Sequence, residues 1–160
     1  MKRLAPLFLL GLMAACSPQP AAEAAPGAAA EAPARHPVSG LAVIPLSVTS
    51  ETGTHHFKVE VAATAAEQQK GMMFRTAMAA NEGMIFPNAV PQVRSFWMKN
   101  TVIPLDIIYI GPDRRVLNIV TATPYSLESL PSTGPVINVL ELNGGRAAEL
   151  GIKPGDAVAW

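Results

Sequence analysis

Two acidic residues stand inside aliphatic runs, Asp106 in IPLDIIYI and Glu141 in VINVLEL. Side chains of an extended chain alternate between two faces. Asp106 therefore shares a face with Ile108 and Ile110, while Leu105, Ile107 and Tyr109 take the other, and Glu141 shares a face with Ile137 and Val139. An unpaired carboxylate in such a row costs several kcal/mol, so each acid must be neutralised, paired or set at a wet rim. Arg75, Arg94 and Lys99 are the cationic candidates, Asn100, Thr101 and Asn143 the neutral donors, and Trp97 an apolar wall. One reading makes Arg75, Trp97, Lys99, Asn100, Thr101, Asp106, Glu141 and Asn143 a polar pocket at a sheet rim. The other makes them ion pairs that hold strand register and the loop after Lys99. Two carboxyl groups also suit glycoside hydrolysis when about 5 to 9.5 Å separates them.

Other chemistries find fewer residues. His55 and His56 are adjacent, point to opposite faces of a strand and cannot chelate one metal. With no other histidine and no cysteine after residue 40, a zinc site has too few of its usual ligands, and neither metal nor cofactor is expected. There is no Gly-x-Ser-x-Gly elbow. Met72, Met73, Met78, Met84 and Met98 crowd one region, and soft thioethers bind Cu(I). Their irregular spacing fits core filling better. AAELGIKPGDAV, residues 147–158, resembles the late helix and turn of PDZ domains, but a helix, a glycine stop and a turn account for it without a peptide ligand.

The elements that must position these residues begin near residue 41. Strands are expected over 41–49, where Pro45 argues for an edge, and over 55–63, where Phe57, Val59 and Val61 alternate with Lys58 and Glu60. Thr64-Ala65-Ala66-Glu67 matches a capping box and Gly71 supplies a stop, which predicts one short helix. Further strands are expected over 83–86, 94–99, 104–110, 115–121, 136–142 and 157–160. A Pro- and Ser-rich loop runs to Pro135, and Asn143 is expected to cap a second short helix over 146–150. So many short strands separated by turns predict a mainly β domain, an antiparallel sandwich or barrel with one or two short helices.

Upstream, MKRLAPLFLLGLMAACS has a basic start at Lys2 and Arg3, an apolar stretch and small residues before the chain's single cysteine, Cys16. The stretch is too short to span a bilayer and reads as a signal peptide over 1–15. Leu12-Met13-Ala14-Ala15-Cys16 resembles a bacterial lipobox, with Met13 where leucine is usual. That resemblance implies lipid on the Cys16 sulfur, and Ser17 leans toward outer-membrane sorting. The alternative is plain secretion with a free cysteine. PQPAAEAAPGAAAEAPARHP, residues 18–37, carries five prolines and no large apolar side chain, so 16–40 is expected to be a semi-extended tether in which Arg35 and His36 have no role. The domain itself is assigned to 41–160.

The chain carries 12 basic and 12 acidic residues; removing Lys2 and Arg3 with the signal leaves a slight negative excess. That balance excludes the basic footprint of a nucleic-acid binder.

Five motifs occur in order: KGMMFR (70–75), GMIF (83–86), FWMKNT (96–101), PLD (104–106) and VLELNGG (139–145). They resemble the family known as domain-of-unknown-function 192, over roughly 46–160. Met72 stands where Leu is commoner and Gly144 where Ala is. The resemblance implies a compact, mainly β, jelly-roll-like fold and no established activity. The leading functional expectation is thus an exported, periplasmic domain lipid-anchored to the envelope, which binds an envelope ligand or protein without catalysis. An envelope hydrolase using Asp106 and Glu141, and a purely structural partner of another envelope protein, are the alternatives.

Overall fold

The computed structural model describes residues 34–160. Cys16, the signal segment and the tether up to residue 33 lie outside the described residues. Nine strands form: β1 (Val43–Ser50), β2 (Gly53–Val61), β3 (Glu82–Gln92), β4 (Ser95–Phe96), β5 (Leu105–Ile110), β6 (Val116–Ala122), β7 (Leu130–Pro131), β8 (Val136–Asn143) and β9 (Ala157–Ala159). Two short helices, α1 (Ala65–Lys70) and α2 (Arg146–Glu149), complete the domain. The fold is mainly β, as the turn-punctuated strand pattern implies.

Seven strands make one sheet in the order β6-β5-β8-β3-β2-β1-β9, and β4 pairs with β7 in a separate two-stranded ribbon. Every pairing in the large sheet is antiparallel except β2 with β3. A parallel neighbour needs a crossover that returns the chain to the same end of the sheet, and α1 with the loop after it is that crossover. The sheet curls until its edge strands meet. Arg115 and Ala157 form an isolated bridge, Val116 N donates to Asp156 O at 2.9 Å, and Val158 N donates to Arg114 O at 2.9 Å.

Leu46, Val48, Phe57, Val59, Ile85, Ile108, Val116, Leu140, Leu142 and Val158 pack together in one cluster. All seven strands contribute to it, so this is the inside of the curl, where Ala147 of α2 and Ile152 also pack. A second cluster covers the outer face of the central strands, with Met84, Phe86, Ile107, Tyr109 and Val139 on the sheet and Met72 and Met98 laid over them. Phe96 of the ribbon packs edge-on against Phe86, ring centroids 5.0 Å apart. Met72, Met84 and Met98 are buried, as core filling requires. With both faces covered, every residue of β5 is buried.

Several expected elements differ. The strand expected over 94–99 shortens to Ser95–Phe96 and leaves the main sheet, and its partner β7 lies in the segment expected to be loop. The strand expected over 83–86 runs on to Gln92 past Pro87 and Pro91, which lack a ladder N–H, and its register with β8 shifts between Pro87 and Gln92. Pro45 is paired on one side only, because β9 reaches just Ser47–Thr49 of β1. Folded chain begins before residue 41: Val43 N donates to Ala34 O, and Arg35 bridges Ala42.

Candidate functional site

The α1 capping box forms as its sequence predicts. Thr64 Oγ1 accepts from Glu67 N, and Glu67 Oε2 accepts from Thr64 N at 2.7 Å. Six residues do not sustain a helix alone. Gln68 ties it down by donating from Nε2 to Pro87 O at 2.8 Å. Gln68 Oε1 in turn accepts from the Arg94 guanidinium at 3.1 Å. This linkage joins the crossover to the start of the ribbon, and between them lies a recess of about 120 Å³. Lys70 and Met73 line it from the crossover, Arg94 and Trp97 from the ribbon, and Thr101 from the loop beyond; Glu141 of β8 forms the floor.

Glu141 occupies an apolar rung. Ile107 on β5 and Met84 on β3 are its direct cross-strand partners. The residue is 4 % exposed, and its Oε2 has no hydrogen-bond partner among the described residues. Burial pushes its carboxyl up to about 8, so at neutral pH the acid is mostly protonated and can donate a hydrogen bond. Tyr109 lies one step diagonally away on β5; its hydroxyl donates to Leu130 O. Burial, then the Glu141 charge, hold the Tyr109 phenol well above its ordinary value.

Asp106 is elsewhere. On the antiparallel ladder it faces Leu142 and Thr121, so it points into the curl while Glu141 points out. Its Oδ1 accepts from Thr121 Oγ1 at 2.7 Å and Gly145 N at 3.0 Å, and its Oδ2 accepts from Ala147 N at 2.8 Å. Asp106 thereby satisfies the free N–H groups that open α2, a task expected of Asn143. The residue before α2 is Gly145, in a left-handed conformation (φ 86°) and without a side-chain cap. Asn143 donates instead to Met78 O and Ala79 O, fixing the end of the crossover loop.

The remaining expected site residues divide. Trp97 and Thr101 do line the same recess as Glu141. Lys99 and Asn100 line a neighbouring recess with Trp97, and Lys99 Nζ sits 5.2 Å from the Trp97 ring centroid. Arg75 pairs with neither expected acid. Its Nη2 contacts Glu60 at 2.6 Å, and Ser39 Oγ also donates to Glu60 while His36 Nε2 lies 3.7 Å away. Glu60 is buried although it alternates with Phe57, Val59 and Val61 on the polar side of its strand, and Arg35–Leu41 belongs to the fold rather than to an inert tether. Glu60 shares a rung with Met84 and Glu141 on the outer face. By strand spacing the two glutamates stand roughly 10 Å apart.

Three sites were missed by sequence reasoning: Glu60, Lys70 and the Gln68–Arg94 link. The only local signal was that an apolar residue, Ala62, follows Glu60 two positions later on the same face; the structure buries it. Beside the recess, three loops cross-link: Phe74 N donates to Asn100 O and Tyr125 N donates to Thr101 O. Phe74, Asn100 and Tyr125 all have positive φ, at 65°, 56° and 62°. Such conformations cost on the order of 1 kcal/mol or more for bulky side chains and gather at functional sites.

A family profile described as "Uncharacterized ACR", the domain-of-unknown-function 192 family, matches residues 47–160. The chain belongs to this family. A crystal structure of a protein of unknown function from Novosphingobium aromaticivorans is similar at 58 % identity and TM-score 0.79, covering 82 % of this chain and 94 % of that one. A second, of a proposed transcription regulator from Sinorhizobium meliloti, is 36 % identical with TM-score 0.72, covering 74 % and 94 %. No curated protein matches the chain. The family relationship accounts for the fold and assigns no chemistry.

Proposed function

We propose that this member of the domain-of-unknown-function 192 family is a non-catalytic binding module of the cell envelope, held at a membrane through lipid on Cys16, and that the recess over Glu141 receives part of its ligand. The observation that carries the reading is Glu141: its Oε2 is buried without a hydrogen-bond partner among the described residues, and the residue lines an open recess. An unsatisfied buried polar atom costs about 1–3 kcal/mol, and a ligand that hydrogen-bonds it recovers that cost. Half-exposed Trp97 at the rim and the strained loops alongside are the kinds of groups that contact ligands.

Hydrolysis by Asp106 and Glu141 has no support in the geometry, since the sheet separates the two carboxyls. The hydroxyls of Ser50 and Thr52 near His55 Nε2 do not make a nucleophile and base either. Both donate to Leu150 O, at 3.1 and 2.6 Å.

The test is a thermal-shift and NMR screen of the full chain against envelope glycan fragments, peptides and lipid headgroups. A ligand at 100 times its Kd adds about 2.7 kcal/mol, and it must move the Trp97 indole signal. If nothing shifts the melting temperature or that signal, the binding reading falls. Membrane attachment is tested separately: Cys16→Ser must move the protein from the membrane to the soluble fraction.

A further inference from the structure

We infer that the group received by the recess is a carboxylate on a short apolar stem, gripped by the Glu141 carboxyl at the floor and by Arg94 and Lys70 at the sides. The inference rests on the recess being a binding site and adds the chemistry of what enters it.

Ion pairs among the described residues join Glu60 with Arg75 and His36, Glu149 with Arg146, and Glu51 with Lys153. Neither Arg94 nor Lys70, which both line the recess, has an acidic partner among them. Arg94 Nη2 donates to the neutral Gln68 Oε1, and the guanidinium lies 5.7 Å from the Phe96 ring centroid. A guanidinium has five N–H donors in a planar fork that matches a carboxylate, and this one has donors to spare. The floor acid is held protonated at neutral pH by its apolar rung, so it presents an O–H rather than a charge. The recess therefore offers two cations and one neutral donor.

A cationic ligand would meet Lys70 and Arg94 and would have to strip the Glu141 proton. A neutral one would leave both cations unused. A tetrahedral phosphate would also meet both cations, so it is one of the probes that the experiment must separate from a carboxylate. A planar carboxylate enters end-on, takes the Glu141 hydrogen bond on one oxygen and the Arg94 fork on the other, and leaves its stem against Trp97. Tyr109, kept neutral by burial, the Glu60–Arg75–His36 group one strand beyond Met84, and the cross-strand pair Lys58 and Glu82 two residues along from Glu60 and Met84 are the other titratable groups on this face; Lys99 sits over Trp97.

The experiment titrates the full-length protein in detergent with acetate and propionate, with N-acetylalanine for a peptide end and glucuronate for a sugar acid. Methyl propionate, inorganic phosphate and a neutral monosaccharide are the controls. The Glu141 carboxyl carbon and the Trp97 indole nitrogen are followed by NMR. The expected result is that carboxylates shift both signals and the controls do not. Their affinity stays level from pH 6 to about 8 and then falls about tenfold per unit as the floor acid loses its proton. Glu141→Gln keeps a neutral donor, so it retains binding within a few-fold and loses the pH dependence. Arg94→Met and Lys70→Met each weaken binding about tenfold. Tighter binding of phosphate, the ester or the neutral sugar, with both signals moving, overturns the carboxylate assignment and leaves the recess as a site. If no probe moves either signal, the binding reading itself fails. Whether N-acetylalanine or glucuronate binds more tightly distinguishes a peptide from a glycan source.

Discussion

Asp106 and Glu141 lie one residue out of step on neighbouring strands. Ile107 is opposite Glu141 and Leu142 is opposite Asp106, so the two carboxyls project from opposite sides of the sheet. No substrate atom can touch both. Their environments differ accordingly: Asp106 accepts hydrogen bonds from Thr121, Gly145 and Ala147, while Glu141 Oε2 accepts none among the described residues. One acid is architectural and the other is available.

Asp106 joins β5 to the start of α2, and its removal leaves buried N–H groups without acceptors. Asp106→Ala is expected to lower unfolding free energy by about 2–4 kcal/mol. Asp106→Asn costs somewhat less, because one oxygen survives while an amide NH₂ confronts a backbone N–H. Urea denaturation measures both. Ligand-induced shifts at Trp97 should persist in folded Asp106→Asn, since Asp106 faces away from the recess.

The raised Glu141 acid makes stability depend on pH. Unfolded, its carboxyl titrates near 4.5; folded, near 8. Between those values the native chain keeps a proton that the unfolded chain has released, so stability falls as pH rises through the window and levels off above it. The contribution amounts to several kcal/mol. Glu141→Gln should be more stable than the parent at pH 8 and should remove most of this slope, as read from denaturation midpoints between pH 5 and 9. Equal slopes in the two proteins would show that Glu141 is ionised in the native state at neutral pH.

Glu60 and Arg75 are both buried enough that deleting one strands the other. Arg75→Met is expected to cost about 3–5 kcal/mol, and Glu60→Leu with Arg75→Met to recover much of it. A double-mutant cycle gives the coupling. Because Ser39 also donates to Glu60, Glu60→Leu should make cleavage between Arg35 and Leu41 faster under limited proteolysis.

Trp97 is 51 % exposed and borders both recesses. Trp97→Ala should therefore change stability by less than about 1 kcal/mol, while reducing affinity for any ligand of the Glu141 recess about tenfold. Calorimetric titration against thermal unfolding separates the two effects.

Much of the architecture could be read locally. The capping box of α1, the strand positions and the alternation that groups Asp106 with Ile108, and Glu141 with Val139, depend on neighbours two to four residues away. The five motifs identified the family. What depended on residues far apart in the chain could not be read this way. A register change of one residue turns a whole side of a strand over, and nothing in IPLDIIYI or VINVLEL says that Ile107, not Asp106, meets Glu141. Whether a face is covered is likewise decided elsewhere. Glu60 is buried because Arg75 and the Arg35–Leu41 segment close over it, 15 and about 20 residues away in sequence. Sequence by itself thus determined which side chains travel together along each strand. Only the tertiary structure decided which strands' faces coincide and what covers them, because pairing and burial are set by contacts between distant segments rather than by local periodicity.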